Sequence, residues 1–121
     1  MRTDYSLVNG ELRISRDDPT FEWQGRVDSM VVSEVRPVPD GSGVVVLLEA
    51  PPGTAQVRNL VKVDNTAHIA WRGELPADTS GDCFVSFIIL GDGSVSAATW
   101  SGFRVTLSRE TGQVLDQRFT K

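Results

Sequence analysis

Few residues in this sequence have the types and spacing that an active site requires. The 121 residues include one histidine, His68, and one cysteine, Cys83. A structural zinc ion takes about four nitrogen or sulfur ligands, and the acidic residues lack the spacing of a calcium-binding loop. The sequence therefore predicts no metal site and no cofactor.

The serine and glycine motifs also differ from catalytic ones. Residues 91–95, Gly-Asp-Gly-Ser-Val, are similar to a nucleophile elbow but lack its second glycine, and the serine follows a hairpin turn. The glycines at 41–43 and 91–93 lack the helix and the Lys-Ser/Thr pair of a P-loop. Cys83 begins an apolar strand, which is typical of a buried, unreactive thiol. We interpret the chain as a non-enzyme, although any two of its 16 acidic residues can meet in space as a glycosidase-type pair.

Aromatic and acidic residues near turns are the remaining candidates for recognition. Trp100 ends a strand of small residues, where it serves either as an anchor for a partner or as a cap on the core. Several loops carry acids, which form a rim for a basic partner if the loops gather at one end. The binding candidates are Trp100, Asp40, Glu74, Asp78, Asp82 and Asp92. Scattered, solvated carboxylates are the alternative.

Charge and hydropathy exclude several classes of protein. The 12 Lys and Arg against 16 Asp and Glu give a net charge of −4, whereas nucleic-acid binding needs a basic surface. One cysteine excludes an internal disulfide framework. No stretch approaches the roughly 20 apolar residues of a membrane helix, and no secretory signal follows the N-terminus. We expect a cytoplasmic protein that binds neither membranes nor nucleic acids.

The composition predicts an all-β fold. Valine is abundant, with 16 residues, and β-branched residues suit a pleated, half-buried surface. Residues 44–48 are apolar on both faces and predict a central strand, and residues 83–119 predict a four-stranded antiparallel meander. We expect a single domain over residues 1–121, with about 9–10 antiparallel strands in two packed sheets or one strongly bent sheet.

Two segments resemble each other. Residues 61–71 share with residues 105–115 a strand, a polar turn and a returning strand, and Val61 and Val105 are 44 residues apart, within the roughly 40–45 of a propeller blade. The pattern resembles the outer strands of blades in pyrroloquinoline-quinone-type and WD-repeat propellers. The first copy has Ala67 where the second has Gly112, a departure from a strict repeat. Two blades are too few to close a ring of about four to eight.

The C-terminal stretch carries a second resemblance. Residues 98–107, 110–112 and 118–121 are similar to small bacterial proteins of unknown function, some of which resemble the immunity proteins of toxin systems. This resemblance implies a non-enzymatic interaction module that neutralises a basic toxin, such as a nuclease. The alternative is a small-ligand carrier or enzyme with a pocket between sheets and Trp100, Asp92 or His68 at its mouth. A homo-oligomer that buries exposed strand edges is a further possibility.

Overall fold

The computed structural model describes residues 2–51, 57–76 and 81–120, and every helix or strand assigned in these ranges is a strand. The eleven strands are β1 (Thr3–Val8), β2 (Glu11–Asp17), β3 (Thr20–Gly25), β4 (Val32–Pro37), β5 (Gly43–Leu48), β6 (Leu60–Asp64), β7 (Ile69–Arg72), β8 (Phe84–Ile89), β9 (Val95–Thr99), β10 (Phe103–Leu107) and β11 (Val114–Phe119).

The strands form three antiparallel meanders in chain order. We name them the N-terminal sheet (β1–β3), the central sheet (β4–β7) and the C-terminal sheet (β8–β11). The all-β, antiparallel prediction is confirmed, and the meander predicted over residues 83–119 is the C-terminal sheet. The structure differs in having eleven strands and three sheets, because the chain changes layer after β3 as well as after β7. After β3 it does so through a tight turn with positive φ at Asp28 and Ser29.

The central sheet lies between the other two. All six residues of β5 are buried, which confirms the central strand predicted at residues 44–48. Alternate β5 residues contribute to two separate cores, because successive side chains point to opposite faces of a sheet. One core, shared with the N-terminal sheet, contains Leu12, Ile14, Val27, Val32, Val44, Val46, Leu48, Val61 and Val63. The other, shared with the C-terminal sheet, contains Val38, Val45, Leu47, Leu60, Trp71, Leu75, Phe84, Phe87, Val95, Ala97, Val105 and Leu107.

Polar side chains also connect the layers. Buried Asn59 donates from Nδ2 to the carbonyl oxygens of Leu48 (2.8 Å) and Phe84 (2.9 Å). Its Oδ1 accepts the Phe84 backbone N–H at 2.7 Å. On the other side of the central sheet, Arg72 makes a bidentate ion pair with Asp28, with N···O distances of 3.0 and 3.1 Å. These contacts fix how the three sheets sit against one another.

The internal repeat is present in the structure as equivalent hairpins. β6–β7 and β10–β11 are the third and fourth strands of consecutive sheets. Ala67 and Gly112 both have left-handed backbones, with φ of 70° and 73°. The second turn is one residue longer: the Asp64 N–H donates to His68, four residues on, and the Ser108 N–H to Gln113, five residues on. The Ala-for-Gly departure thus keeps the left-handed backbone at that position, although the turns differ in length.

Candidate functional site

The two terminal sheets each turn one face away from the central sheet, and these faces differ in chemistry. On the N-terminal sheet the residues are polar except for one valine; this N-terminal polar face consists of Asp4, Ser6, Val8, Glu11, Arg13, Ser15, Glu22 and Gln24. Its polar groups bind one another: Glu22 accepts from Ser15 at 3.0 Å and from Arg13 at 3.3 Å, and Gln24 donates to Glu11 at 2.9 Å. Such a surface is typical of one that faces solvent, like the polar outer face of a terminal repeat.

The C-terminal sheet presents a different surface, which we call the outer face. Cross-strand register places eight residues on it, namely Ser86, Ile88, Ser96, Ala98, Arg104, Thr106, Asp116 and Arg118. Small side chains occupy its middle, namely Ser96 and Ala98 on β9, Ser86 on β8 and Thr106 on β10. Ile88 is 53% exposed there, although isoleucine belongs to the residues most often buried.

Further apolar side chains lie at the margins of the outer face. Val85 and Leu115, the extra residues at the bulges of β8 and β11, are both exposed. Phe119, at the end of β11, is also exposed but belongs to the opposite face of the sheet, where it makes an edge-to-face contact with Phe103 at 5.3 Å. Among the described residues, five of the six exposed large hydrophobic side chains belong to the C-terminal sheet or its turns; Leu7 is the sixth.

Trp100 lies in the β9–β10 turn and is 70% exposed. Of the two roles that the sequence left open, the structure thus places this side chain at the surface and not over the core. Its backbone N–H donates to the Cys83 carbonyl at 2.9 Å, which holds the turn against the start of β8. An exposed indole on a fixed turn is the kind of side chain that anchors protein interfaces.

Asp82 is only 1% exposed and therefore does not contribute to an acidic surface. Its carboxylate accepts hydrogen bonds from the Ser101 hydroxyl (2.7 Å), the Ser101 N–H (3.1 Å) and the Cys83 N–H (3.0 Å). These bonds tie residues 82–83, just before β8, to the β9–β10 turn. Neighbouring Cys83 is half-buried, and burial, together with the charge of Asp82, raises the pKa of its thiol.

Asp40 and Asp92 do come together, in a cleft of about 270 Å³ between turns of the central and C-terminal sheets. Lys62 and Arg109 line the same cleft, so two cations accompany the two acids. Arg109 donates to the Asp92 carbonyl at 3.0 Å. The cleft is therefore of mixed charge rather than acidic.

Both cleft carboxylates are engaged within their own turns. Asp40 accepts the Ser42 N–H at 2.9 Å, and Asp92 accepts the Ser94 hydroxyl at 2.6 Å and the Ser94 N–H at 3.0 Å. Hydrogen bonding from these serines lowers the pKa of each aspartate below its usual value. Each carboxylate therefore caps its own turn.

The other candidates lie apart from this cleft. Glu74 accepts the Val114 N–H at 2.8 Å, which fastens the start of β11. Asp78 lies outside the described residues. His68 is exposed in the β6–β7 turn, where its Nδ1 lies 3.0 Å from the Thr66 hydroxyl. The described candidate acids thus do not form a single rim.

The sequence carries a signal for the two turns that line the cleft, although not for their proximity. Asp-Gly-Ser occurs at 40–42 and again at 92–94, in the turns between the first and second strands of two consecutive sheets. The outer face could have been read from the alternation along β10, where Arg104 and Thr106 oppose buried Val105 and Leu107. Within the described ranges, no three His, Cys, Asp or Glu residues converge as metal ligands. The same residues include no helix that could span a membrane.

A comparison with protein families assigns the chain. Residues 5–119 match the model of a domain of unknown function, DUF7957. The chain belongs to the DUF7957 family. A comparison with curated proteins gives no match.

The fold of this DUF7957 member is also seen in a β-propeller protein. It is similar to the crystal structure of BamB from Moraxella catarrhalis, with a TM-score of 0.57 and 20% sequence identity. The likeness covers 98% of this chain and 35% of the BamB chain, so the chain spans about a third of that protein. At this identity the likeness concerns the fold, and it agrees with the propeller-like hairpins expected from the sequence.

Proposed function

We propose that this DUF7957 chain is a protein-interaction module and that the outer face of its C-terminal sheet is the docking surface. The observation that carries the proposal is the uneven distribution of exposed apolar side chains. Ile88 lies on the outer face, with Val85 and Leu115 at its margins. Ile88 and Leu115 lie on the two edge strands, β8 and β11, with Ser96 and Thr106 between them. The concentration of exposed apolar side chains at this end of the fold makes it the candidate interaction surface.

The N-terminal sheet, at the opposite end of the stack of three sheets, supports this choice of surface. The N-terminal polar face satisfies its charges internally through Arg13, Glu22 and Glu11, so covering it would strip water from ionic groups for little gain. The outer face also carries charges, at Arg104, Asp116 and Arg118, but it adds the exposed apolar side chains that the N-terminal polar face lacks. The difference predicts docking at the C-terminal end of the stack.

Co-purification with a candidate partner tests the surface. The tagged chain is co-expressed with the product of the gene adjacent to its own, and the complex is quantified. Ile88→Asp should weaken binding roughly tenfold, the effect of losing about 1.4 kcal/mol at an interface. Ser6→Asp on the N-terminal polar face is the matched control and should leave binding unchanged. Equal binding by both variants contradicts this docking surface.

The specific form of the proposal is an immunity-type protein that neutralises a basic toxin. Residues 98–107, 110–112 and 118–121 are similar to small bacterial proteins of unknown function, some of which resemble immunity proteins, and this similarity supports the proposal. The net charge of −4 supports it too, since opposite net charges accelerate association. We place the encounter in the cytoplasm, where an unpaired thiol such as Cys83 persists. Co-expression of the chain should protect cells from a toxic product of the neighbouring gene. Killing as extensive as in cells that lack the chain would contradict the immunity role.

The second candidate is binding of a small ligand in the cleft that Asp40, Lys62, Asp92 and Arg109 line. Two cations and two carboxylates around one cleft suit a ligand with both charges. The cleft volume of about 270 Å³ is slightly below the roughly 300–1,000 Å³ usual for ligand pockets, so the ligand would be small. A panel of zwitterionic metabolites should raise the melting temperature of the wild-type chain but not of Lys62→Ala; no shift contradicts this candidate.

A further inference from the structure

We propose that the part of the partner covering the outer face carries carboxylates, which pair with Arg104 and Arg118. This inference rests on the outer face being the docking surface. It adds the chemical class of the segment that docks there: an acidic protein segment.

The two arginines are direct cross-strand neighbours. Arg104 on β10 and Arg118 on β11 are register partners in an antiparallel pair, an arrangement that places Cβ atoms about 5 Å apart on one face. Like charges in this position destabilise a sheet. The fold therefore maintains two positive charges side by side at an electrostatic cost.

Within the described part of the chain, no carboxylate forms an ion pair with either arginine. Arg104 donates through Nη1 to the Ser96 hydroxyl at 3.0 Å, and so lies across the middle of the outer face. Asp116 shares that face with Arg118 but no ion pair joins them. By contrast, Arg13 on the opposite end of the stack binds Glu22.

Covering the outer face would take this pair of charges out of water. A buried charge without a partner is strongly destabilising, so a stable interface here requires groups that neutralise both guanidinium groups. Carboxylates do so with bidentate, charge-assisted hydrogen bonds. The local charge of the docking surface is thus positive, although the net charge of the chain is −4. A partner that is basic overall can therefore dock through an acidic segment.

Two other occupants are conceivable, and the chemistry disfavours both. Single-stranded nucleic acid also uses arginine and exposed aromatic rings, but it requires a positive groove along its backbone, and this face has only two arginines beside Asp116. A second copy could bring its N-terminal polar face, but the carboxylates of Glu11 and Glu22 there are already hydrogen-bonded.

The test is an NMR titration of the full chain with three probes. They are a capped five-residue peptide of alternating Glu and Leu, its Lys-Leu counterpart, and oligothymidine. The acidic peptide should shift backbone amides on the outer face, with weaker binding at higher salt. The double variant Arg104→Gln, Arg118→Gln should bind it roughly tenfold more weakly, whereas the control Arg13→Gln should bind as the wild type does.

Three results would overturn the inference. The first is that the Lys-Leu peptide binds as tightly as the acidic peptide or more tightly, and the second is that oligothymidine binds more tightly than the acidic peptide. The third is that the acidic peptide does not bind and light scattering shows a dimer of the wild type but a monomer of the double variant. The docking surface is judged separately in the co-purification assay. If Ile88→Asp loses the partner and the arginine variant retains it, the surface stands and the carboxylate inference fails; if both retain it, the surface itself fails.

Discussion

Gly112 lies directly against the indole ring of Trp71. A Cβ atom at position 112 would come within 2.6 Å of Trp71 Cε3 and 3.0 Å of the Arg72 carbonyl oxygen. The same indole donates from Nε1 to the Arg109 carbonyl at 3.0 Å. The β10–β11 turn thus packs against β7 of the central sheet and is hydrogen-bonded to it. This contact orients the C-terminal sheet, which carries the outer face.

Gly112→Ala should therefore destabilise the fold strongly. Its left-handed backbone, with φ of 73°, and the clash with Trp71 together should cost about 2–4 kcal/mol in the free energy of unfolding. Gly41→Ala is the matched control, because Gly41 has φ of 78° but nothing within 4 Å of an added Cβ; only about 1–2 kcal/mol is expected there. Urea denaturation measures both, and equal losses would disprove the close contact.

Asn59→Ala should lower stability by removing the polar link between β5 and β8. The variant leaves the Phe84 N–H and the carbonyl oxygens of Leu48 and Phe84 without their side-chain partner inside the protein. A buried donor or acceptor that loses its hydrogen-bond partner lowers the free energy of unfolding by about 1–3 kcal/mol. Asn65→Ala, at a half-buried position in the β6–β7 turn, is the control and should change stability by less than about 0.5 kcal/mol. A neutral Asn59→Ala in chemical denaturation would contradict this role.

The pair of Arg72 and Asp28 should make stability depend on pH at acidic values. Hydrogen bonding from Arg72 lowers the pKa of Asp28 below its ordinary value of 3.8. The stabilisation is thus complete above the unfolded-state pKa and is lost as pH falls through the folded-state pKa. Asp28→Asn should cost about 0.5–1 kcal/mol at neutral pH, with the difference from wild type vanishing well below pH 3.8.

Denaturation curves between neutral pH and about pH 2 measure this difference. Asp116→Asn is the control, since no ion pair joins Asp116 to an arginine within the described ranges. A difference for Asp28→Asn that stays constant down to the lowest pH would show that the ion pair is not its source.

Trp100 should be the tryptophan most accessible to solvent, because Trp71 is buried and Trp23 half-buried. Trp100→Phe should change stability by less than about 0.5 kcal/mol and remove most of the fluorescence quenching by iodide. Trp71→Phe should keep that quenching but lose stability with its hydrogen bond to Arg109. Unchanged quenching in Trp100→Phe would mean that the indole is covered.

The sequence was sufficient for the class of fold, because local patterns determine it. Alternation along residues 103–108 and the apolar run at 44–48 correspond to β10 and β5 almost residue for residue. The number of sheets was not predictable in the same way. A turn signal such as the glycines at 91–93 shows where a hairpin reverses. The sheet to which the hairpin belongs depends on packing between residues far apart in the chain, such as Ile14 and Val46, which belong to one core.

The candidate site was predictable only in part, for the same physical reason. Exposure of Trp100 depends on whether another layer covers its turn, and burial of Asp82 depends on Ser101, which is 19 residues away. The sequence predicts that Asp40 and Asp92 lie in turns, but their meeting in one cleft follows from the stacking of two sheets. The opposition of Arg104 and Arg118 needs the register of β10 and β11, which a bulge shifts.

Hydroxyl-radical footprinting of the chain, alone and bound to its co-purifying partner, tests the docking surface most directly. Labelling is quantified by mass spectrometry at Ile88 and Leu115, with exposed Leu7 on the N-terminal sheet as the internal reference. The account predicts that labelling of Ile88 and Leu115 falls in the complex while that of Leu7 is unchanged. Protection of Leu7 with continued labelling of Ile88 and Leu115 would contradict it.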